Sequence, residues 1–305
     1  MSNHLSTDAE MTECRAGCPA VSLLIEPRAK DLGGFSVRRV LPIAKQRQVG
    51  PWVFFDHMGP AEFSAADEGI NVRPHPHVNL ATVTYLFEGE MLHRDSLGSV
   101  QVVKPGDINL MVAGHGIVHS ERERDEVRNG PRRIHGLQLW LALPEEDEET
   151  DPAFYHYPDA DIPAGEHEGV PLRVMMGSAF GLTSPVKTFA DTLYVEAHLQ
   201  TGQTLPAPTA EERAVYVAAG SVTIGDTVVK EHTMAVLSGN SDTTIQANSE
   251  ARIAVIGGDK LSQRFLDWNF VSSRKERIEQ AKQDWRAGKF PKVPGDEDEF
   301  IPLPE

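Results

Sequence analysis

The sequence predicts an all-β fold made of two antiparallel β-barrels in tandem, followed by a short C-terminal α-helix. Short runs of β-branched and aromatic residues are separated by turn residues at roughly every eight to twelve positions, which is typical of barrels and jelly rolls and not of βαβ folds. The chain of 305 residues is long enough for two domains, each with its own core. An acidic run near the middle and a weak internal repeat favour a division into two similar halves.

The clearest strands lie in the first half of the chain. Residues 80–87 form a β-branched and aromatic run without Gly or Pro, and this run ends at the turn Glu88-Gly89-Glu90. Residues 100–103, 108–113 and 117–121 are the next predicted strands, and Gly or Pro lies in the turns between them. This succession of short strands and tight turns favours an antiparallel barrel.

Three further segments complete the first predicted barrel. Residues 35–41 and 52–55 have the composition of strands, and the segment 56–60, Asp-His-Met-Gly-Pro, predicts a loop after the second of them. Residues 134–143 should close the barrel, because leucines recur there at every second position and so share one face.

Two pairs of metal-binding side chains lie within this barrel. His75 and His77 are two residues apart, and so are His119 and Glu121. Side chains two apart on a strand point to the same face, so each pair presents two ligand atoms to one side of a sheet. Three imidazoles and one carboxylate suit a divalent first-row metal and leave positions open for substrate or water. Pro74 and Pro76 beside His75 predict an edge strand or a bulge, as at a barrel mouth.

The second half repeats part of the first without the ligands. Residues 216–222 align with residues 85–91, and residues 233–239 align with residues 108–114. This alignment places Pro206 and Pro208 opposite the two histidines of the first pair, and Thr244 and Gln246 opposite the second pair. Neither proline nor threonine is a credible ligand for iron or copper, so the second barrel is predicted to be metal-free.

The acidic segment Glu145-Glu146-Asp147-Glu148-Glu149 predicts the boundary between the barrels, because such a charge run does not pack as a unit. The predicted organisation is a flexible extension (1–20), a metal-binding barrel (21–144), an acidic linker (145–157), a metal-free barrel (158–260) and a tail (261–305) with a helix at 273–287.

The tail helix has recognisable start and stop signals. Ser273 to Glu276 fits a capping box, and Gly288 can end the helix. Ile278, Ala281 and Trp285 recur at helical spacing and form a narrow apolar stripe. Docking of this stripe on the protein's own barrel is favoured over recruitment of a partner protein.

Five segments of the sequence together resemble the pirin family of the cupin superfamily. They are Phe55-Asp56-His57-Met58-Gly59-Pro60, Pro74-His75-Pro76-His77, Thr84-Tyr85-Leu86-Phe87-Glu88-Gly89, Ala113-Gly114-His115-Gly116-Ile117-Val118-His119-Ser120-Glu121 and Gly136-Leu137-Gln138-Leu139-Trp140. Pirins consist of two cupin barrels, and the N-terminal barrel binds iron through three histidines and a glutamate. The resemblance therefore implies tandem cupin (jelly-roll) barrels. It also implies a site formed by His75, His77, His119 and Glu121.

Two further residues are predicted to lie near this metal site. The resemblance favours a pocket role for His57, although a purely structural hydrogen bond is an equal alternative, and Gln138 is a second candidate pocket residue. One departure from many cupins is visible, because the glutamate expected a few residues after the second histidine is missing from residues 78–82. Glu121 is then the only carboxylate of the predicted ligand set.

The resemblance also implies a cofactor and two classes of function. Fe(II) is the first choice of metal, and imidazole and carboxylate ligands also suit Mn, Co, Ni, Cu or Zn. Some pirins are quercetin 2,3-dioxygenases, which open a flavonol ring with O2 and release carbon monoxide. In that case Glu121 would be both a ligand and the base that takes the proton of the flavonol 3-hydroxyl group. The alternatives are an iron-dependent redox-sensing regulator that acts through protein partners, and a structural cupin with a loosely held metal.

Composition excludes several other partners. The net charge is -16, from 45 acidic and 29 basic side chains, so direct binding to nucleic acid is disfavoured. The arginines that follow Glu121 are interleaved with acidic residues and predict a solvated loop of mixed charge. The sequence has no apolar run of about eighteen residues and no signal-peptide pattern at its start, so a cytoplasmic monomer without membrane contact is expected. Cys14 and Cys18 are expected to be free thiols.

Overall fold

The computed structural model describes residues 11–13, 20–31, 35–239 and 242–304, and most of its regular structure is antiparallel β-sheet. The strands of the first half are β1 (Met11–Glu13), β2 (Val21–Ile25), β3 (Arg28–Asp31), β4 (Ser36–Leu41), β5 (Trp52–Phe63), β6 (Asn71–His77), β7 (Leu80–Glu88), β8 (Met91–Asp95), β9 (Val100–Val103), β10 (Ile108–Val112), β11 (Ile117–Arg122), β12 (Arg132–Ala142) and β13 (Ala153–Tyr157). The strands of the second half are β14 (Ala164–His167), β15 (Val170–Met176), β16 (Ser178–Ala179), β17 (Leu182–Thr183), β18 (Thr192–Leu199), β19 (Thr204–Pro206), β20 (Glu212–Ala219), β21 (Val222–Ile224), β22 (Thr227–Val229), β23 (Met234–Leu237), β24 (Thr244–Ala247), β25 (Ala251–Gly258), β26 (Phe265–Asp267) and β27 (Phe270–Ser272). Within these residues the α-helices are α1 (Asp125–Arg128) and α2 (Lys275–Arg286), and 3₁₀ turns cover Glu145–Asp147 and Asp159–Asp161.

Each half forms a barrel from one large and one small sheet. The first barrel combines the seven-stranded sheet β13-β10-β7-β12-β5-β4-β3 with the four-stranded sheet β6-β11-β8-β9. The second combines the eight-stranded sheet β1-β2-β23-β20-β25-β18-β15-β14 with the four-stranded sheet β19-β24-β21-β22. Apart from β1, the two barrels have the same strand order. The predicted tandem jelly-roll architecture is therefore confirmed, and the weak sequence repeat follows from it.

The outermost strands of the two large sheets correct the predicted domain boundaries. β2, assigned by sequence to the first barrel (21–144), pairs with β23 of the second barrel, with Ile25 opposite Met234. β13, assigned to the acidic linker (145–157), pairs with β10 of the first barrel. Both strands bury apolar side chains against a large sheet, and such pairing between distant segments leaves no local signal in the sequence. β1, within the predicted flexible extension (1–20), is likewise a strand and pairs with β2, whereas Cys14 and Cys18 lie outside the described residues.

Strand β5 corrects a second expectation. The segment 56–60 was predicted to be a loop, but β5 continues through it to Phe63. Met58 pairs with Gly136 on one side and with Val37 on the other, so the central strand position overrides the turn-forming composition. Asp56, His57 and Met58 therefore alternate between the two faces of the large sheet.

The two large sheets pack against each other through their outer faces. This interface is the largest apolar core of the described chain, and it includes Val83 and Tyr85 from the first barrel with Tyr194 and Tyr216 from the second. The Trp52 side chain crosses the interface and donates a hydrogen bond of 3.1 Å to the carbonyl of Leu193. The inner face of the second barrel is a separate core of aliphatic side chains.

The C-terminal tail docks on the first barrel, as the sequence predicts. Helix α2 buries Ile278 and Ala281, which are 3% and 0% exposed, in a cluster that also includes Val78 and Phe270. The predicted capping box does not form, because Ser273 donates from its hydroxyl group to the Glu148 carboxylate at 3.0 Å. Neither described helix has the length and apolar character needed to cross a bilayer.

Candidate metal centre

Three of the four predicted metal-binding side chains meet in the first barrel. β6 and β11 are neighbouring antiparallel strands, and their register places His119 opposite His75, with His77 two residues further along β6. One ring nitrogen from each histidine lies within 4.8 Å of one from each of the others. All three side chains are buried, with His75, His77 and His119 at 4%, 1% and 2% exposure. The spacing that predicted a metal site thus produces a compact group of three imidazoles.

Backbone carbonyl groups fix the orientation of two of these rings. Nδ1 of His75 lies 2.9 Å from the Arg73 carbonyl oxygen, and Nδ1 of His77 lies 2.9 Å from the Asn269 carbonyl oxygen. A carbonyl oxygen can only accept, so Nδ1 carries the proton in both rings and Nε2 presents a lone pair. This is the arrangement that metal-binding histidines usually have.

The remaining nitrogens of the group suit a shared cation. Nε2 of His77 and Nε2 of His119 are 3.1 Å apart, and Nδ1 of His119 is buried without a hydrogen-bond partner among the described residues. Burial lowers the pKa of His75 to about 4 and lowers the pKa values of His77 and His119 well below the usual range. The rings are therefore neutral near pH 7, as ligation of a divalent metal requires.

Glu121 lines the same cavity but is not part of the three-histidine group. A β-bulge separates it from His119, because the register shifts from His119 opposite His75 to Glu121 opposite Val72. The Glu121 carboxylate has no hydrogen-bond or ion-pair partner within the described part of the chain, and desolvation raises its pKa to about 7. Its role as fourth ligand stays a prediction.

The cavity beside the three histidines is small and mostly apolar. Its volume is about 60 Å³, enough for a few water molecules. The walls include Thr82 and Gln138 as well as apolar side chains of the inner sheet faces. Gln138, predicted to be a pocket residue, does line the cavity, and its side-chain oxygen accepts a hydrogen bond of 2.9 Å from Thr84.

A buried ion pair forms another part of the wall. Arg39 donates from Nε and Nη2 to the two carboxylate oxygens of Asp56, at 2.7 and 2.6 Å, and both residues are almost fully buried. The guanidinium carbon lies 4.3 Å from the centre of the Phe54 ring, which is stacked at 3.9 Å on Trp140. Sequence reasoning missed Arg39 and Asp56, because Asp56 was assigned to a loop. The alternation of β5 would have revealed Asp56 once that segment was recognised as a strand, and Arg39 lies opposite Asp56 on β4.

His57, the other predicted pocket residue, does not line this cavity. It is adjacent to Asp56 on β5 and so points to the opposite face, into the interface between the barrels. Its Nδ1 lies 2.7 Å from the Tyr216 hydroxyl oxygen, and its Nε2 lies 2.8 Å from Nε2 of His135. These contacts favour the structural hydrogen bond over a pocket role, and the role of His57 stays a prediction.

His93 is a further histidine near the site that sequence reasoning did not single out. Its ring centre lies 5.4 Å from that of His119, and its Nε2 lies 3.0 Å from the Asp95 carboxylate. The ring also stacks on Phe154 of β13, at 4.3 Å between centres. These contacts hold the His93 ring beside the three-histidine group, and the contact with Asp95 occupies Nε2 of His93.

Comparison with known proteins agrees with this architecture. The pirin family model matches residues 34–141, and the model of the pirin C-terminal cupin domain matches residues 194–291. A pirin-like protein of Caulobacter vibrioides is 46% identical over 288 residues, which cover 93% of this chain and all of the relative. Human pirin is 31% identical over 280 residues, covering 88% of this chain and 93% of that protein.

A solved structure is similar over nearly the whole fold. The crystal structure of a quercetin 2,3-dioxygenase from Acinetobacter baumannii superimposes with a TM-score of 0.85 and 31% identity, covering 92% of this chain and 94% of that one. Together the family models and these relatives show that the chain belongs to the pirin family.

Proposed function

We propose that this pirin is a dioxygenase that uses a single non-haem iron ion to cleave a flavonol such as quercetin with O2. The observation that carries the proposal is the group of three neutral, buried imidazoles, two of which are oriented by backbone carbonyls so that Nε2 faces their neighbours. The similarity to the Acinetobacter quercetin 2,3-dioxygenase supports the substrate class. His75, His77, His119 and Glu121 would hold the iron.

The bound iron would supply a Lewis acid and a redox partner for O2. The protein's own groups would do the rest. Glu121 would accept the proton of the flavonol 3-hydroxyl group on a carboxylate oxygen, because it lines the cavity and has no other described partner. Phe54 and Trp140 would exclude water from the reacting edge of the substrate, since both line the cavity and stack on each other.

The cavity limits how a flavonol can bind. Sites for molecules of that size usually have volumes of roughly 300–1,000 Å³, whereas this cavity has about 60 Å³. Only the oxygen-bearing edge of a flavonol would therefore fit in the present shape, and the wall would have to open for the rest. Met58 and Met91 line the cavity, and their unbranched side chains can change rotamer at low cost.

The decisive assay is oxygen uptake by the iron-loaded protein with quercetin, with carbon monoxide measured as a product. The proposal expects turnover far above that of the same concentration of free iron, and none with metal-free protein. Turnover no faster than free iron would contradict the proposal, and capture of a protein partner that depends on the iron oxidation state would then favour the regulatory alternative.

The variant Glu121→Gln tests the proton-transfer role separately. It should keep its metal while flavonol turnover falls by about 100-fold, the usual contribution of a positioned general base. Normal turnover with full metal content would rule out this role. Loss of metal would instead identify Glu121 as a ligand whose carboxylate charge is required for binding.

A further inference from the structure

Arg39 carries an unpaired donor in the wall of the metal cavity. The side chain is 1% exposed, and Nε and Nη2 are both engaged by Asp56. Nη1 is buried and has no hydrogen-bond partner among the described residues. Nη1 carries two of the five N–H donors of the positively charged guanidinium group, so these two donors are left without an acceptor. Buried donors of charged groups are rarely left in this state.

The surroundings of Arg39 hold this donor in place. The paired carboxylate fixes the plane of the guanidinium group, and the Phe54 ring lies against it at 4.3 Å. Phe54 is in turn stacked on Trp140, another residue of the cavity wall. Because both neighbours are themselves buried, Nη1 is presented in one fixed orientation and not on a mobile side chain.

The second barrel shows that the fold does not require this ion pair. Arg39 pairs with Asp56 in the register of β4 and β5, and Val174 pairs with Val195 in the register of the equivalent strands β15 and β18. At the same barrel position, the second half thus has two valines and the first half has a buried ion pair. Burying an ion pair usually brings no gain over apolar packing, so a separate role explains its presence better.

We infer that Arg39 binds an anionic oxygen of the ligand that enters this cavity, by donating to it from Nη1. The ligand would belong to the enolates or carboxylates, with one oxygen directed to Arg39 and another to the three-histidine group. The inference rests on the proposed function only in taking this ligand to be the substrate. For a flavonol, the charged oxygen would be the one that loses its proton on binding.

Binding of a small anion to metal-free protein tests the inference without any reaction. Formate and neutral formamide have nearly the same size, and both are small enough for the cavity. Trp140 lies in the wall, so tryptophan fluorescence at about pH 8, where the histidines are neutral, can report binding. The unmodified protein should give a saturable response to formate and none to formamide. Equal responses, or none to either, would overturn the inference.

Substitutions test whether the fluorescence response to formate depends on Arg39. Arg39→Lys keeps the positive charge but loses the planar fork, so formate affinity should fall by about tenfold or more. Arg133→Lys, at an exposed arginine paired with Glu88 outside the cavity, should leave it unchanged. Circular dichroism should first show that Arg39→Lys folds like the unmodified protein. An unchanged formate affinity in the folded variant would contradict the inference. If the variant does not fold, the comparison of formate with formamide in the unmodified protein is the deciding test. Selective formate binding without quercetin turnover would retain Arg39 as an anion site while ending the flavonol proposal.

Discussion

The two barrels share one strand order but differ in the residues that occupy equivalent positions on their inner faces. In the first barrel, the residues that lie side by side on β4, β5, β12 and β7 form a polar row of Arg39, Asp56, Gln138 and Thr84. The equivalent row of the second barrel reads Val174, Val195, Val255, Val215. Four polar side chains in one half thus replace four valines in the other. The valine row shows that apolar side chains are sufficient for the fold at these positions. The polar side chains of the first barrel therefore need another explanation.

The small sheets differ in the same way. His119 lies opposite His75 in the first barrel, and Thr244 lies opposite Pro206 at the equivalent place in the second. The sequence alignment that placed proline and threonine at these positions agrees with the observed registers. A barrel of this type can therefore close with or without metal-binding residues, so the histidines are best explained by function and not by folding.

Removing one imidazole from the first barrel should have the largest effect on activity and metal content. The variant His119→Ala should lose at least about 100-fold in oxygenase activity and most of its metal, because the ion would lose one of its four proposed ligands. Elemental analysis and oxygen uptake measure both effects. His198→Ala, at an exposed position of the second barrel, is the matched control and should change neither. Full metal content in His119→Ala would disprove the assignment of this ligand.

The polar row can be tested by making it resemble its counterpart. Asp56→Asn leaves the buried charge of Arg39 without its partner and should lower the free energy of unfolding by about 3–5 kcal/mol. The double variant Arg39→Met with Asp56→Leu should restore most of that loss, since apolar residues of similar volume replace the pair. Urea unfolding of the three proteins provides the measurement. A double variant as unstable as Asp56→Asn would show that the ion pair is needed for folding.

The reverse kind of substitution places a polar group in the valine row of the second barrel. Val215→Thr is nearly isosteric and places a hydroxyl group in the aliphatic interior of the second barrel, at the position equivalent to Thr84. It should lower the free energy of unfolding by about 1–3 kcal/mol, because the hydroxyl group has no side-chain acceptor like Gln138 beside it. Urea midpoints would report the loss, and a fully neutral effect would mean that the second interior tolerates polarity as well as the first.

The interface between the barrels should make stability depend on pH. Burial lowers the pKa of His57 to about 2, with further lowering by the neighbouring His135, His232, Arg38 and Arg252. The unfolded chain binds a proton on His57 below about pH 6.5 while the folded chain does not, so stability is lost as the pH falls. The loss from this residue should be about 1.4 kcal/mol at about pH 5.5. His57→Gln should reduce this dependence, and an unaltered pH profile of the urea midpoint would contradict the assignment.

Local patterns predicted the parts of the fold that depend on neighbouring residues. The strand containing Val83 and the histidine pairs follow from alternation and composition, and the three imidazoles converge as parity requires. Long-range pairing was not predictable in this way. The acidic run before β13 predicts a linker, yet β13 pairs with β10, and within that run Glu148 is buried and forms an ion pair with Arg264 at 3.1 Å.

The residues of the cavity wall were missed for a related reason. Asp56 belongs to a turn-like sequence that becomes a strand only because β4 and β12 pair with it on both sides. His57 was assigned to the cavity although strand alternation sends it to the interface with Tyr216. Both differences come from the same misplaced loop, and correcting one element moves Asp56 into the cavity wall and His57 out of it.

Counting the metal ions bound to each chain tests the central claim most directly. Native mass spectrometry of the freshly purified protein, and of metal-free protein titrated with Fe(II) under anaerobic conditions, gives this number without relying on any activity. We expect one ion per chain, bound through the three histidines of the first barrel and lost in His75→Ala. No bound ion, or an ion that His75→Ala retains, would contradict the assignment of this site.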